Sequence, residues 1–163
     1  MPSGVAVSLG VRSREKVVAW ATSGVADSGT PAYAVATTHA LYVQSLDERV
    51  AWHRVSKATW EEPVLTVVLL DEGREPGRVL RIRLDDARDL PPAVYDRVSD
   101  SVQISERVNL RGEAGARLVA RRDSEDGSIR WSVVFDAGLD PADPDLRTSV
   151  DEALGRLRDS LGI

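Results

Sequence analysis

The side chains of this 163-residue sequence that could take part in catalysis or binding are two histidines, a group of aspartates and a set of arginines. A metal site or a catalytic base built on His39 or His53 would need carboxylates or a nucleophile converging on the ring. Neither histidine belongs to an HExxH or GxSxG motif. We place His39 at a hairpin turn and His53 at the exposed end of a strand. We therefore predict structural histidines, with no catalytic residue and no metal ligand.

Three aspartates in the segment DPADPD are a second candidate for chemistry, because clustered carboxylates attract hard cations such as calcium. They are Asp140, Asp143 and Asp145. The glycine and the distal glutamate of an EF-hand loop are missing. Helix capping explains the same residues, with Asp143 as N-cap and Pro144 in the first helical position. We predict a helix start here.

Four arginines fall on one predicted hairpin and could hold a phosphate group. They are Arg117, Arg121, Arg122 and Arg130. The loop between the two strands carries three acidic residues, which are Asp123, Glu125 and Asp126. These acidic residues favour a solvated, locally neutralised face. No aromatic residue alternates with the arginines, as stacking on nucleic acid normally requires.

The four tryptophans are the largest apolar side chains of the sequence, and most of them should lie in the core. A tryptophan on the surface would instead mark an interface. We single out Trp52, because polar residues surround it in its predicted strand. The full set of interaction candidates is Trp52, Arg54, Arg121, Arg122 and Arg130.

Composition excludes several classes of function. The sequence has no cysteine, which rules out disulfides, a thiolate nucleophile and sulfur-ligated zinc. It has 21 basic and 26 acidic residues, a net charge of −5, and no basic segment. This balance disfavours nucleic acid and anionic membranes as partners. We predict no cofactor.

No segment resembles a signal peptide or a membrane span. Residues 1–14 lack a charged start followed by an apolar run, and the longest apolar stretch, residues 64–70, is far shorter than the roughly 20 residues that a span needs. We therefore expect a cytoplasmic protein without membrane insertion.

Seven short strands and one helix are predicted over residues 16–102. Residues 79–84 alternate between apolar and charged side chains, which is typical of a half-buried strand. A turn is predicted at residues 72–77. Apolar residues then recur at every fourth position, at Leu90, Val94, Val98 and Val102. This spacing predicts a helix over residues 91–102.

The remaining residues predict a smaller second set of elements. A strand is expected over residues 106–110, followed by a break at residues 112–115. A hairpin is expected over residues 116–122 and 129–136, and an amphipathic helix ends at Gly162. We divide the chain into a loose N-terminal arm (1–15), a β-rich part with its helix (16–103) and a C-terminal part (104–163).

The order of seven strands and one amphipathic helix resembles the pleckstrin-homology-like (PH-like) fold, with a hairpin at ATTHALYV, residues 36–43. The resemblance implies an α+β protein. Its seven-stranded antiparallel split barrel would be capped by a helix and followed by a C-terminal β-hairpin and helix. The loop at residues 24–31 has no lysine or arginine, so the phosphoinositide binding of this fold class is not carried over.

Nearly the whole sequence also resembles a conserved family of uncharacterised actinobacterial proteins. The segments that carry this likeness are VVAWA (17–21), VATTHALYV (35–43), residues 108–122 and residues 131–147. The likeness lends no function. Our leading hypothesis is a non-enzymatic module that binds another protein through a sheet edge or an apolar groove. The alternatives are a domain that binds phosphate or a small phosphorylated ligand through the hairpin arginines, and an enzyme whose centre the sequence does not reveal.

Overall fold

A computed structural model describes residues 1–72 and 77–162 as a mixed α+β protein with three antiparallel sheets. Its contacts define two compact units. The first unit is Met1–Ser101 together with the loop Asp123–Ser128, and the second is Val102–Arg122 together with Ile129–Ile163. Most of the turn predicted at residues 72–77 lies outside the described residues.

Where the first unit is described, it has seven strands in two sheets, in the order β1-β2-β3-β4 and β5-β6-β7. The strands are β1 (Val17–Val25), β2 (Pro31–Thr37), β3 (Ala40–Val43), β4 (Glu48–Ala51), β5 (Val55–Glu61), β6 (Val64–Leu69) and β7 (Val79–Arg83). An isolated antiparallel bridge joins Thr22 to Asp86. In the described part of the chain the strands do not close into a barrel.

The described residues of the first unit also form two helices and two short 3-10 helices. Helix α1 is Val5–Ser8 and helix α2 is Leu90–Ser101, and the 3-10 helices are Gln44–Leu46 and Trp52–Arg54. The predicted helix at residues 91–102 is therefore confirmed, one residue earlier in the chain. Its four-residue period buries Leu90 and Val94 and packs Val98 against the core.

The core of the first unit lies between its two sheets and α2. The fully buried side chains include Leu41, Leu65 and Ile82, and strand β7 alternates as expected, with Leu80 and Ile82 buried and its two arginines exposed. Trp52 lies in this core at 2% exposure and donates a hydrogen bond from Nε1 to the Thr37 carbonyl (3.0 Å). Its burial contributes on the order of 2 to 3 kcal/mol.

The first fifteen residues contain α1 and contribute to the packing. Leu9 and Val11 pack against a small apolar cluster on the outer side of the sheet, formed by Val35, Ala40 and Tyr42. The side chain of Glu15 is only 2% exposed. A carboxylate is buried at such a level only when it is paired.

The second unit is a three-stranded sheet with one helix. The sheet order is β10-β9-β8, where β8 is Val102–Arg111, β9 is Ala114–Arg122 and β10 is Ile129–Phe135. Helix α3 (Pro144–Leu161) packs against it. Its core is small and contains Ala116, Leu118, Val150 and Ala153, with Val133, Leu154 and Leu157 among the half-buried residues around them.

Gly115 is required where β8 and β9 pair. A Cβ atom at this position would lie 1.9 Å from the carbonyl oxygen of Val108, on the partner strand. The register of the two strands shifts between Asn109 and Arg111, as at a β-bulge. The glycine thus permits a backbone approach that a side chain would prevent.

The predicted start and end of the last helix are confirmed. The Asp143 carboxylate accepts a hydrogen bond from the Asp145 amide (2.9 Å), Pro144 occupies the first helical position, and Gly162 ends α3 with φ of 71°. Among the described residues, none of the helices combines the length and apolar character needed to cross a membrane.

Candidate functional site

Charged and polar side chains surround Arg49 in the first unit. We call Arg12, Glu15, Tyr42, Arg49 and Glu125 the Arg49 cluster. Tyr42 on β3 and Arg49 on β4 are cross-strand partners, so the sheet itself brings the phenol and the guanidinium together. Arg49 Nε donates to the Tyr42 hydroxyl (2.9 Å), and the guanidinium carbon lies 5.5 Å from the centre of the Tyr42 ring.

Glu15 forms the buried side of the Arg49 cluster. One of its oxygens accepts hydrogen bonds from Tyr42 Oη (2.9 Å) and Arg49 Nη2 (2.8 Å), and the other accepts one from Thr37. Burial raises the pKa of this carboxyl, but the three hydrogen bonds outweigh that effect and hold the pKa below its usual range. Glu15 is therefore a fixed anion that orients Arg49.

Glu125 forms the exposed side of the cluster. Its Oε1 atom accepts hydrogen bonds from Arg49 Nη2 (2.5 Å) and Arg12 Nη1 (2.6 Å). The side chain of Glu125 is 38% exposed and that of Arg12 is 56% exposed. Burial raises the pKa of Glu125, and the two arginines lower it by more, so that the carboxyl is ionised at neutral pH.

The loop that carries Glu125 is held by contacts of its own. Ser124 Oγ donates to the carbonyl of His39 (3.0 Å), the Asp123 carboxylate accepts from the Glu125 amide (2.9 Å), and the Gly127 amide donates to the Asp123 carbonyl (2.8 Å). The backbone of the loop is therefore positioned without the Glu125 side chain.

Two open cavities adjoin the cluster. The larger, of about 330 Å³, is bordered by Arg12, Tyr42 and Arg49 and by residues of α1 and β4. We call the smaller one, of about 250 Å³, the Arg14 cavity. Its lining residues are Arg12, Ser13, Arg14, Glu15, His39 and Glu125. Arg12 borders both cavities, and its side chain is more than half exposed.

His53 is buried, and the prediction that it lies at an exposed strand end was wrong. Its side chain is 8% exposed because the chain leaves β4 and enters the 3-10 helix Trp52–Arg54, which interrupts the alternation of a strand. Nε2 lies 3.3 Å from Glu72 Oε1, and Nδ1 lies 3.6 Å from Asp123 Oδ1. The imidazole thus lies between two carboxylates within the first unit, and only its Nε2 is within hydrogen-bond distance of one.

The predicted interaction residues are not brought together. Trp52 is in the core and is not available on the surface, which corrects the expectation that it marks an interface. Arg54 is largely buried, with Nε 3.2 Å from Glu72 Oε2 and Nη2 donating to the Leu70 carbonyl (3.1 Å). Both contacts belong to the framework of the first unit.

The hairpin arginines lie on two faces of the second sheet. Arg121 and Arg130 are cross-strand partners and share a face, whereas Arg122 points to the opposite face. Arg121 is 5% exposed, and burial lowers the pKa of its guanidinium. Arg122 is exposed and donates to Gln103 Oε1 (3.3 Å). The second sheet therefore does not present these arginines as one patch.

The aspartates of the DPADPD segment serve the chain itself. Asp140 accepts a hydrogen bond from the Ala142 amide (2.9 Å), and Asp143 caps α3 and also receives one from Arg111 (2.7 Å). Over residues 1–72 and 77–162, no group of three or more histidine, cysteine or acidic side chains is arranged to hold a metal ion.

Strand β1 is an edge of the four-stranded sheet, and its nine residues include no charged side chain. The other edge strands in the three described sheets, β4, β5, β7, β8 and β10, each carry at least one arginine or lysine. Val17 is 38% exposed, Val18 is 44% exposed and Val25 is 70% exposed. Proteins usually protect such an edge with charge or cover.

The outer side of β1 is partly occupied. The Thr22 carbonyl accepts a hydrogen bond from the Asp85 amide (2.9 Å), and the Gly24 amide donates to the Asp85 carboxylate (2.7 Å). Since backbone groups alternate in direction along a strand, those of Trp20 also point away from β2. Among the described hydrogen bonds none reaches these groups of Trp20. The register of β1 against β2 shifts between Val17 and Ala19, and the guanidinium carbon of Arg88 lies 4.2 Å from the centre of the Trp20 ring.

Neither the Arg49 cluster nor the open edge of β1 was predicted from the sequence. Tyr42 falls in the hairpin predicted at residues 36–43, but no local signal linked it to Arg49, to Glu15 or to Glu125, which lies 76 residues beyond Arg49. The absence of charge from β1 was visible in the sequence. Its position at a sheet edge was not.

Comparison with protein-family models, with curated proteins and with solved structures found no match to this chain. The likeness to actinobacterial proteins and the likeness to the PH-like fold therefore stay predictions.

Proposed function

We propose that the protein is a non-enzymatic module that binds an extended, uncharged segment of another protein along the open edge of β1. The observation that carries this proposal is the combination of a sheet edge that is occupied only near Thr22 and Gly24, a strand without charge and exposed valines at Val17 and Val18. A partner strand would satisfy the backbone groups of Trp20 and cover the valines.

The architecture of the first unit supports this proposal. A four-stranded sheet is followed by a three-stranded sheet and then by helix α2, which is the element order of the PH-like fold. We propose that the unit is PH-like. Such a fold offers rigid sheet edges, and a rigid edge reduces the entropy cost of ordering a peptide.

Recovery of a partner from native cell extract tests the proposal. We compare the wild-type protein with Val18→Lys, which places a charge on the open edge, and with Val79→Lys as the matched control. Val79 is an exposed valine (54%) on a different edge strand, β7. We expect one specific protein to be recovered by the wild type and by Val79→Lys, and recovery to fall about tenfold or more with Val18→Lys, because edge charge opposes strand addition.

Equal recovery of that protein by both variants would contradict the proposal, as would a wild-type protein that recovers nothing above the background of empty resin. Sedimentation of the purified protein separates a further outcome. A dimer that Val18→Lys dissociates, and Val79→Lys does not, would identify a second copy of this chain as the occupant and would replace the proposed partner.

A further inference from the structure

We propose that the Arg14 cavity is a binding site for a phosphate group, which displaces the Glu125 carboxylate from Arg12 and Arg49. The proposal goes beyond the function proposed for the β1 edge and depends on different residues.

The two carboxylates that share Arg49 differ in burial and in how many of their oxygens are engaged. Glu15 is 2% exposed, and both of its oxygens are engaged by side chains. Glu125 is 38% exposed and is held only through Oε1, since no described hydrogen bond reaches its Oε2. Exposed ion pairs contribute little net stability, so a stronger anion can replace Glu125 without loss of the fold.

The Glu125 side chain can also leave the two arginines without moving its loop. The backbone remains anchored by Ser124 on the carbonyl of His39 and by the hydrogen bonds of Asp123. Rotation of one solvent-exposed side chain is sufficient to vacate the oxygen position between the two arginines. Such rotations are fast and cost little.

After Glu125 has turned away, three arginines and one glutamate remain around the vacated position. Arg12 and Arg14 border the cavity, and the Arg49 guanidinium already faces the vacated position. Glu15 is the remaining anion of the lining, and Arg49 and Tyr42 engage it. The cavity therefore has an excess of positive charge, and guanidinium groups match the geometry of phosphate oxygens.

The size of the cavity limits the ligand. A volume of about 250 Å³ is below the usual range for drug-sized ligands, which begins at about 300 Å³. It holds a phosphate group with a small substituent. The shared chemistry is a phosphate dianion, supplied either as free phosphate or as a small phosphomonoester.

Calorimetric titration at about pH 7.5 tests the site, with inorganic phosphate and O-phosphoserine as the two probes. The variants are Glu125→Gln, Arg12→Gln and, as a matched control, Glu113→Gln, which neutralises an exposed glutamate of the second unit. We expect Glu125→Gln to bind phosphate about tenfold tighter than the wild type, because the competing carboxylate is gone. Arg12→Gln should bind about tenfold more weakly, and Glu113→Gln should match the wild type.

The two probes distinguish the source of the phosphate. Tighter binding of O-phosphoserine identifies a phosphomonoester, and equal or tighter binding of inorganic phosphate identifies the free ion. The proposal is overturned if neither probe binds Glu125→Gln at millimolar concentration, if Glu125→Gln and the wild type bind equally, or if Arg12→Gln leaves the affinity unchanged. Arg12 is 56% exposed, so its substitution leaves the fold in place and a loss of binding has a local cause.

Discussion

Arginine and carboxylate groups meet in both units, with different consequences. In the second unit, Arg107 donates two hydrogen bonds to Asp136 (3.0 and 2.6 Å), and Asp136 also accepts one from the Gly115 amide (2.8 Å). Arg107 and Gly115 lower the pKa of Asp136 to about 2. In the first unit, Arg49 divides its hydrogen bonds between a buried carboxylate and an exposed one.

The difference shows when an ion pair is structural and when it is available for binding. Asp136 uses both oxygens and a backbone amide, so its removal would disturb the β8–β9 turn region as well as the charge balance. Glu125 uses one oxygen and is not needed to position its own loop. The number of independent contacts per carboxylate, and not the presence of an arginine, separates the two cases.

The largest expected effect is that of Gly115→Ala, which tests the structural role of the Asp136 region. The new Cβ would lie 1.9 Å from the Val108 carbonyl oxygen. We expect the free energy of unfolding of the second unit to fall by about 3 kcal/mol, because backbone must move to relieve the overlap. Hydrogen exchange of amides in β8 and β9 measures this loss.

Gly155→Ala is the matched control for that experiment. Gly155 lies in α3, in the same unit, and a Cβ there meets no atom within 4 Å. Alanine should stabilise the helix by up to about 1 kcal/mol. If the amides of β8 and β9 are as well protected from hydrogen exchange in Gly115→Ala as in Gly155→Ala, a glycine is not required for the close approach of the two strands.

Two matched substitutions compare the carboxylates of the Arg49 cluster. Glu15→Gln should reduce the free energy of unfolding by about 2 kcal/mol, because it leaves a largely buried arginine short of its counter-charge. Glu125→Gln should change it by less than about 1 kcal/mol, because that pair is exposed. Urea unfolding of both variants measures the two values, and equal losses would remove the distinction between a fixed and an exchangeable carboxylate.

The pH dependence of stability tests the ionisation of Glu15, and its expected effect is smaller than those of the substitutions above. The pKa of Glu15 is lowered in the folded protein, so its stabilisation is present above the ordinary glutamate pKa of about 4.3. This stabilisation is lost as the pH falls through the lower, folded-state value. The difference in unfolding free energy between the wild type and Glu15→Gln should therefore be constant near neutral pH and shrink in acid. A difference that grows in acid would contradict this assignment.

Much of the fold was predictable because it depends on local pattern. The cap at Asp143, the end of α3 at Gly162 and the alternation of β7 each follow from a few neighbouring residues. The exposure of Trp52 and His53 was not predictable in this way, since a 3-10 helix replaced the end of a strand and turned both side chains inward.

The candidate sites depend on contacts between distant residues. Glu15, Arg49 and Glu125 come together through the sheet and a loop that belongs to the first unit although its strands belong to the second. The spacing of apolar residues along the chain gives no information about such long-range contacts. Likewise, the sequence shows that residues 17–25 lack charge, but strand order decides that they form an edge.

In the proposed phosphate site, the Arg49 cluster contains one fixed carboxylate, Glu15, and one exchangeable carboxylate, Glu125. Carbon-13 NMR of the glutamate side-chain carboxyl groups, recorded while inorganic phosphate is added to the 163-residue chain, distinguishes the two carboxylates. We predict that the Glu125 carboxyl resonance moves with phosphate concentration while that of Glu15 stays in place. Resonances that move together, or a Glu125 resonance that does not respond, would contradict the account.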